Sequence, residues 1–198
     1  MMNFIRTLLI YEIILLKIYH IIKLLHQQQV VAYPTEAMFG LGCDPDSEKA
    51  VHTLLTLKKR DWQKGLILVA ANYEQLANYI DDNSLNINQR ARMFSLWPGP
   101  ITWTIPARTT TPCWLTGKFS TLAVRISAFK PVRMLCLAFG KPIVSTSANV
   151  SGQSPARNIC EVRQQFGAAF PVMDQIIEGR YSPSEIRDAI SGQLIRRG

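Results

Sequence analysis

Short apolar runs alternate with helix-forming segments between Val30 and Val144. The runs have the length and the β-branched residues of strands, and the segments between them carry helix start and stop signals. Strands separated by helices are typical of α/β proteins, in which helices cover the sheet that the strands form. We therefore expect an α/β fold with an open, twisted mixed sheet and flanking helices. The length suits a single domain over residues 1–198, with an apolar N-terminal helix in residues 1–28 packed on it.

The N-terminal segment Phe4–Leu25 is densely apolar. Charged residues interrupt it before any apolar run reaches the about 20 residues that a membrane span needs. Arg6, Lys17 and His20 fall on one side of a helix, which predicts an amphipathic helix with a wide buried face and no membrane span. A signal peptide is the competing interpretation, but no small-x-small cleavage site follows. Contact with a membrane surface also stays open.

Local pattern leaves the C-terminal segment ambiguous. Ser182–Glu185 resembles a helix cap, whereas residues 185–190 and 193–197 also fit the two strands of a hairpin. Upstream, Tyr73–Ile80 and Asn88–Leu96 have the pattern of two surface helices. The choice between hairpin and helix near the C-terminus needs information from outside the segment.

The four cysteines, Cys43, Cys113, Cys136 and Cys160, are far apart in sequence. They form no C-x-x-C motif and have no nearby pair of histidines, which argues against a disulfide framework and against a metal site. Free thiols are typical of a reducing cytosol. We therefore predict a cytoplasmic protein whose side chains ligate no metal.

The net charge of +8 is concentrated in one part of the chain. No Asp or Glu occurs from Asn83 to Cys160, an acid-free block that carries nine cations, whereas the remainder is nearly neutral. Such a block predicts positive potential around an anionic partner, either a nucleotide or a nucleic acid. A basic surface that merely faces solvent is the alternative. We expect a concave, basic ligand cleft.

The segment Lys141–Gly152 passes from a short apolar strand into a loop rich in hydroxyl groups. Loops of this kind at strand ends bind ligands in open α/β sheets. Ser145, Ser147 and Asn149 alternate, so in an extended backbone they project to one side, where they could hold phosphate or carboxylate oxygens. The alternative is a turn whose side chains bond to their own backbone.

Three cations stand in apolar surroundings. Lys58 lies seven residues after Val51 and continues the buried stripe of a helix that begins near Ser47. With Arg60 it could clamp phosphates, or the pair could merely complement the helix C-terminus. Arg125 lies inside an apolar strand, where a charge is costly unless it is paired. It therefore either meets an anionic ligand or lies at a sheet edge.

Taken together, five motifs resemble the YrdC/TsaC family of threonylcarbamoyl-AMP synthases. In chain order they are Ala32-Tyr33-Pro34-Thr35-Glu36, Lys58-x-Arg60, Trp97-Pro98-Gly99-Pro100, Ala123-Val124-Arg125 and Ser145-Thr146-Ser147-Ala148-Asn149-x-Ser151-Gly152. Each motif is weak alone, but five in the family's order are specific, and the similarity runs from about Val30 to Gly198. The chain resembles the short, single-domain form of the family. It departs from the family pattern at Ala37, where a second threonine is common, and at Asp61, where proline is usual.

The resemblance implies a role for each matching residue. The ATP-binding positions would be Lys58, Arg60, Thr121, Ser147, Asn149 and Arg196, with Lys58 and Arg60 catalytic; the threonine-binding positions would be Thr35, Arg125, Ser145 and Ser184. Arg125 would pair with the carboxylate of the amino acid. The family places the region of Ser184 in a sheet, which favours the hairpin over the helix.

The activity that the resemblance implies is a nucleotidyl transfer. L-Threonine, bicarbonate and ATP would give threonylcarbamoyl-AMP and pyrophosphate, with Mg²⁺ arriving on the nucleotide. The product would pass to a separate threonylcarbamoyl transferase complex, which modifies adenosine 37 of tRNAs that read codons starting with A. No side-chain nucleophile is required, so the lack of a Gly-x-Ser-x-Gly elbow is no objection. The alternative is a module that binds double-stranded RNA or tRNA without catalysis of its own.

Overall fold

Helices and strands alternate along the chain in the computed structural model, which describes residues 17–177, 179 and 182–198. The helices are α1 (described over residues 17–26), α2 (Glu48–Lys58), α3 (Ile87–Phe94), α4 (Cys113–Thr116), α5 (Lys130–Phe139) and α6 (Ile159–Phe166). The strands are β1 (Val31–Pro34), β2 (Phe39–Gly42), β3 (Ile67–Ala70), β4 (Ile101–Pro106), β5 (Thr121–Ile126), β6 (Ile143–Ser147), β7 (Glu185–Asp188) and β8 (Leu194–Arg196).

The strands form one 8-stranded sheet in the order β1-β2-β6-β3-β5-β4-β7-β8. β3 pairs parallel with β5 and β4 pairs parallel with β7, whereas the other neighbours are antiparallel. The sheet is open because β1 and β8 form its two edges. The predicted α/β class with an open mixed sheet and flanking helices is confirmed.

Each face of the sheet has its own apolar core. On one face, α1 and α5 bury side chains such as Ile21 and Leu135 against β1, β3 and β6. On the other face, α2 and α4 contribute Leu54 and Leu115 to a core that includes Trp103 of β4. Burying apolar surface stabilises the folded state by about 25 cal/mol per Å². Packing on both faces therefore holds the sheet in place, and with it the strand ends that form the site.

The described part of α1 packs as the sequence predicts. Ile18, Ile21 and Leu25 are buried, whereas Lys17 points outward and pairs with Asp174 at 2.7 Å. Residues 1–16 lie outside the described residues, so the first half of the predicted helix, including Arg6, stays a prediction. The single-domain expectation over residues 1–198 also stays a prediction. In the ranges described, no helix combines the length and the apolarity that crossing a bilayer demands.

Two predictions about local structure have opposite outcomes. β7 and β8 pair antiparallel, so the C-terminal hairpin is confirmed. The helix predicted over Tyr73–Ile80 is wrong, because that stretch holds a 3-10 turn, Glu74–Leu76, instead. Ile80 forms a β-bridge with Ala107, and this tertiary contact overrides the helical pattern. The second predicted surface helix is confirmed as α3.

Candidate active site

A cleft of about 250 Å³ opens where strands from distant parts of the chain end. Its walls come from the turn between β1 and β2, the segment after α2, the ends of β5 and β6, and the β7–β8 hairpin. The predicted site residues that line it are Thr35, Arg60, Arg125, Ser145, Ser147, Ser184 and Arg196. One cavity thus collects residues that the resemblance assigns to both substrates.

Three predicted site residues lie outside the described lining of the cleft. Lys58 and Asn149 lie directly behind it, since both form hydrogen bonds with Ser147. Thr121 begins β5 opposite Pro106. The assignment of Thr121 to ATP therefore stays a prediction with no contact in the cleft to support it.

Lys58 is buried in the last turn of α2, on the same stripe as Val51. Its Nζ donates to the backbone oxygen of Ser147 and, at 2.8 Å, to that of Asn149. Burial, followed by the charge of Arg60, lowers the pKa of Lys58 from 10.5 to about 8. Lys58 therefore does more than complement its own helix, because it ties α2 to the loop that follows β6.

The loop after β6 bonds partly to itself. Ser147 Oγ donates to Asn149 Oδ1 at 2.6 Å, and Asn149 Nδ2 donates to the backbone oxygens of Val150 and Gln153. Ser145 and Ser147 nevertheless line the cleft. The loop is therefore a self-bonded turn that also presents hydroxyl groups to a cavity, and its role in ligand binding stays a prediction.

Arg60 and Arg196 both belong to the lining of the cleft and give it two positive charges. Arg60 Nη2 donates to Gly65 O at 2.9 Å, and Arg196 Nη2 donates to Ser184 O at 2.9 Å. Burial, and then the charge of Arg196, lowers the pKa of Arg60. Within the described part of the chain, the buried Nε of Arg60 has no hydrogen-bond partner. An anion between the two guanidinium groups would relieve their repulsion.

Arg125 lies in β5 between β3 and β4, so the interpretation as a sheet-edge residue is wrong. Its Nη2 forms an ion pair with Glu36, and its Nε donates to Gly99 O at 2.9 Å. Ser127 Oγ donates to the same Glu36 oxygen at 3.0 Å. Sequence reasoning gave Glu36 no role, although a strand arginine requires a partner and Glu36 belongs to the first motif. Glu36 lines the cleft with Arg125.

Thr35 and Ser184 are both held by hydrogen bonds. Thr35 Oγ1 donates to Met38 O at 2.6 Å in the turn between β1 and β2. Ser184 Oγ and Thr102 Oγ1 share a hydrogen bond of 2.9 Å. These hydrogen bonds hold both hydroxyl groups in fixed positions in the lining of the cleft.

The two departures from the family pattern have structural roles here. Ala37 is buried in the lining of the cleft. Asp61 accepts from the backbone N of Gln63 at 3.0 Å and caps the 3-10 turn Trp62–Lys64. Capping accounts for an acidic residue where the family commonly has proline.

The acid-free block delivers little of its charge to the cleft. Lys141 pairs instead with Asp44 and Asp46, at 2.6 and 2.7 Å. Of the block's cations in the described structure, Arg125 is the one that lines the cleft, and the other two arginines of the lining come from outside the block. The basic character of the cleft stays a prediction, and the block supports it with one lining cation, Arg125.

Cysteines and acidic residues form no metal site in the ranges described. Cys43 and Cys136 are buried, whereas Cys113 and Cys160 are exposed, and all are free thiols. In those ranges no group of three or more His, Cys, Asp or Glu residues could hold a metal ion.

Comparison with known proteins agrees with this geometry. The family model Sua5/YciO/YrdC, described as telomere recombination, matches residues 23–198. The chain belongs to this family. Among Sua5/YciO/YrdC relatives, the threonylcarbamoyl-AMP synthase of Sodalis glossinidius (strain morsitans) is 67% identical over 88% of this chain and 92% of the relative. That of Serratia proteamaculans (strain 568) is 63% identical over 90% of this chain and 94% of the relative.

A solved structure of the same family shares the fold. P. abyssi Sua5 complexed with L-threonine superposes with a TM-score of 0.76 at 28% identity. The match covers 86% of this chain and 50% of that chain, so this chain spans half the length of that Sua5 protein. The predicted family is thus confirmed by both sequence and fold.

Proposed function

We propose that this chain is a nucleotidyltransferase that makes L-threonylcarbamoyl-AMP from L-threonine, bicarbonate and ATP and releases pyrophosphate. The convergence of Arg60, Arg196 and Ser147 on one cleft carries the proposal. Guanidinium groups bind phosphate oxygens through paired hydrogen bonds, and a triphosphate supplies the charge that two neighbouring arginines need. The name threonylcarbamoyl-AMP synthase on relatives of 67% and 63% identity supports the same activity.

The amino acid would lie beside Arg125. The guanidinium group would bind the carboxylate, and Thr35, Ser145 and Ser184 would fix the rest of the molecule from the same wall of the cleft. P. abyssi Sua5 is complexed with L-threonine, which supports threonine as a ligand of this chain. ATP would occupy the other side, against Arg60, Ser147 and Arg196, with Lys58, Asn149 and Thr121 as further ATP positions.

The chemistry depends on placement rather than on a side-chain nucleophile. Dehydration of bicarbonate supplies CO₂ and releases water, and the amine of threonine adds to CO₂ and loses a proton to give a carbamate. A carbamate oxygen then attacks the α-phosphorus of ATP, and the bond to pyrophosphate breaks as pyrophosphate leaves. Arg60 and Lys58 would neutralise charge that develops on the phosphates, as positioned cations do in other phosphoryl and nucleotidyl transfers. Mg²⁺ enters as part of the substrate Mg·ATP.

The product would then be handed to a separate threonylcarbamoyl transferase complex. That complex would transfer the group to adenosine 37 of tRNAs that read codons starting with A, and we assign both steps to the cytoplasm. Direct binding of tRNA or double-stranded RNA by this chain is the competing function. Its support was the acid-free block, and the ion pairs of Lys141 weaken that support.

Release of pyrophosphate tests the proposal. Purified protein with bicarbonate and Mg·ATP should release pyrophosphate when L-threonine is present and not when it is omitted. Arg133→Ala removes an exposed cation of α5 outside the cleft and serves as the matched control for cleft variants. No threonine-dependent release, together with tight and salt-sensitive tRNA binding, would favour the RNA-binding module instead.

A further inference from the structure

Tyr33 lies beneath the cleft and bonds to a residue of its wall. The side chain is 0% exposed in β1, and its hydroxyl donates to Ser145 Oγ at 2.6 Å. Burial raises the pKa of Tyr33 above its ordinary value of 10.0, so the phenol keeps its proton at every pH at which the protein works. Tyr33 is therefore a permanent hydrogen-bond donor to Ser145.

Two glycines of β2 create the space for the tyrosine ring. Gly40 pairs with Tyr33 across the hairpin, and Gly42 lies two residues further along the same face. A Cβ at Gly40 would lie 3.1 Å from Tyr33 Cζ, and a Cβ at Gly42 would lie 2.7 Å from Tyr33 Cε1. The Gly-x-Gly pair thus forms a slot for the ring, which fixes where the hydroxyl points.

The bond from Tyr33 determines what Ser145 can do. A serine hydroxyl has one hydrogen to donate, and the oxygen of Ser145 already accepts from Tyr33. Among the described residues, Tyr33 is the one side chain that bonds to Ser145. Ser145 lines the cleft, so the hydrogen is available to a ligand.

Ser145 also lines a side chamber of about 40 Å³ that adjoins the cleft. The lining combines apolar side chains with hydroxyl and charged groups, among them Val69, Val132, Thr35, Ser145, Ser184, Glu36 and Arg125. Because roughly 10–15 Å³ of such space holds one water-sized group, the chamber has room for about three or four heavy atoms. The β-carbon of threonine carries one methyl and one hydroxyl, so its side chain suits a lining that is part apolar and part hydroxyl.

We infer that Tyr33 is a positioning residue that sets amino acid specificity, by fixing Ser145 as a donor to the side-chain hydroxyl of the substrate. The inference rests on the proposed function. Valine has a methyl where threonine has this hydroxyl, so it would leave the Ser145 hydrogen without an acceptor. A site that hydrogen-bonds a substrate hydroxyl discriminates against analogues that lack it.

Steady-state kinetics of Tyr33→Phe, Ser145→Ala and the double variant test the inference. Tyr33→Phe keeps the ring in its slot, and we expect it to raise the KM for threonine about two- to tenfold, the effect of one neutral hydrogen bond. The KM for ATP should not change, and the preference for threonine over valine should narrow. Because Tyr33 acts through Ser145, the double variant should lose no more than Ser145→Ala alone.

Tyr79→Phe is the matched control, because it removes another buried hydroxyl, one that donates to Asp46 at 2.7 Å away from the cleft. It should leave the KM for threonine and the preference over valine unaltered. A parent protein without threonine-dependent turnover overturns the proposed function, and this inference falls with it. If the parent is active, three results would overturn the inference alone. The first is an unaltered KM for threonine in Tyr33→Phe, and the second is a rise in the KM for ATP equal to the rise in the KM for threonine. The third is a double variant that loses the full effect of Tyr33→Phe in addition to that of Ser145→Ala.

Discussion

Arg125 and Glu36 form an ion pair inside the sheet although 89 positions separate them in the chain. Their side chains are only 12% and 9% exposed. The pair places a cation and an anion side by side in the wall of the cleft. It also accounts for a charge in the interior of the sheet, since a buried cation is tolerated when a carboxylate faces it.

Loss of the carboxylate should be strongly destabilising. In Glu36→Ala, Arg125 keeps its burial but loses its anionic partner, and we expect the free energy of unfolding to fall by about 3–5 kcal/mol. Asp174→Ala is the control, because its ion pair with Lys17 is exposed, at 63% and 40%, and removing it should cost at most about 1 kcal/mol. Urea unfolding measures both, and equal losses would show that the Glu36 pair stabilises no more than a surface pair.

Removal of the guanidinium should affect one substrate selectively. Arg125→Ala should raise the KM for threonine at least tenfold, about the effect of a hydrogen bond to a charged group, and leave ATP binding largely intact. Circular dichroism of the variant and a parallel assay of Arg133→Ala control for folding and for net charge. Weaker ATP binding with an unaltered KM for threonine would contradict the assignment of Arg125 to the amino acid.

Lys58 and Arg60 should be needed for turnover rather than for folding. We expect Lys58→Ala and Arg60→Ala each to lower kcat/KM by about 100-fold or more, as loss of a positioned cation does, while both remain folded. Lys59→Asn is the control, because Lys59 is exposed and its φ of 50° is one that asparagine tolerates. Unfolding of Lys58→Ala would assign the residue a purely structural role in tying α2 to the Ser147 loop.

ATP binding should become dependent on pH above about 8. Lys58 has a pKa of about 8 because burial and then Arg60 disfavour its charged form, and phosphate oxygens nearby would restore the charge. Below pH 8 the amine is already protonated. Above pH 8 Lys58 must take up a proton from solution when ATP binds, so the affinity for ATP should fall by up to about tenfold per pH unit. Calorimetry of ATP alone at pH 8.5, in two buffers of different ionisation enthalpy, should show proton uptake that Lys58→Ala removes. Constant affinity from pH 7.5 to 9.5 would exclude the coupling.

The slot around Tyr33 should tolerate added methyl groups unequally. An alanine Cβ at Gly42 would lie 2.7 Å from the ring and 2.8 Å from Val144 O, which is backbone, whereas at Gly40 the tightest contact is 3.1 Å to the ring. We therefore expect Gly42→Ala to lower the free energy of unfolding by about 1–3 kcal/mol and Gly40→Ala by less. Thermal unfolding gives the order, and the reverse order would mean that β2 shifts away from the ring.

Periodic features of the chain were readable from the sequence because one local rule governs them. The helical spacing from Val51 to Lys58 predicted a buried cation, and Lys58 is 3% exposed. The motif resemblance also predicted seven residues that share the cleft. In both cases the residue pattern that supports the prediction lies in short, continuous stretches of the chain.

Long-range partnerships could not be read in this way. The bond of Tyr33 to Ser145 joins residues 112 positions apart, and no local period couples them. The helix prediction over Tyr73–Ile80 failed for a related reason. The local pattern is helical, but Ile80 forms a β-bridge with Ala107, which is distant in sequence. The acid-free block gave no sign of the ion pairs of Lys141, because its partners Asp44 and Asp46 lie outside the block in sequence.

The parallel pairing of β4 with β7 also determines when the protein can become active as it is made. Ser184, which bonds to Thr102, follows it by 82 positions. At about 5–20 residues per second, a ribosome needs roughly 4 to 16 seconds to add that length. During this interval the side of β4 that later pairs with β7 is an open sheet edge, available to other chains. Ser184 and Arg196 join the cleft only when the hairpin docks, so a growing chain acquires its binding site late and in one step.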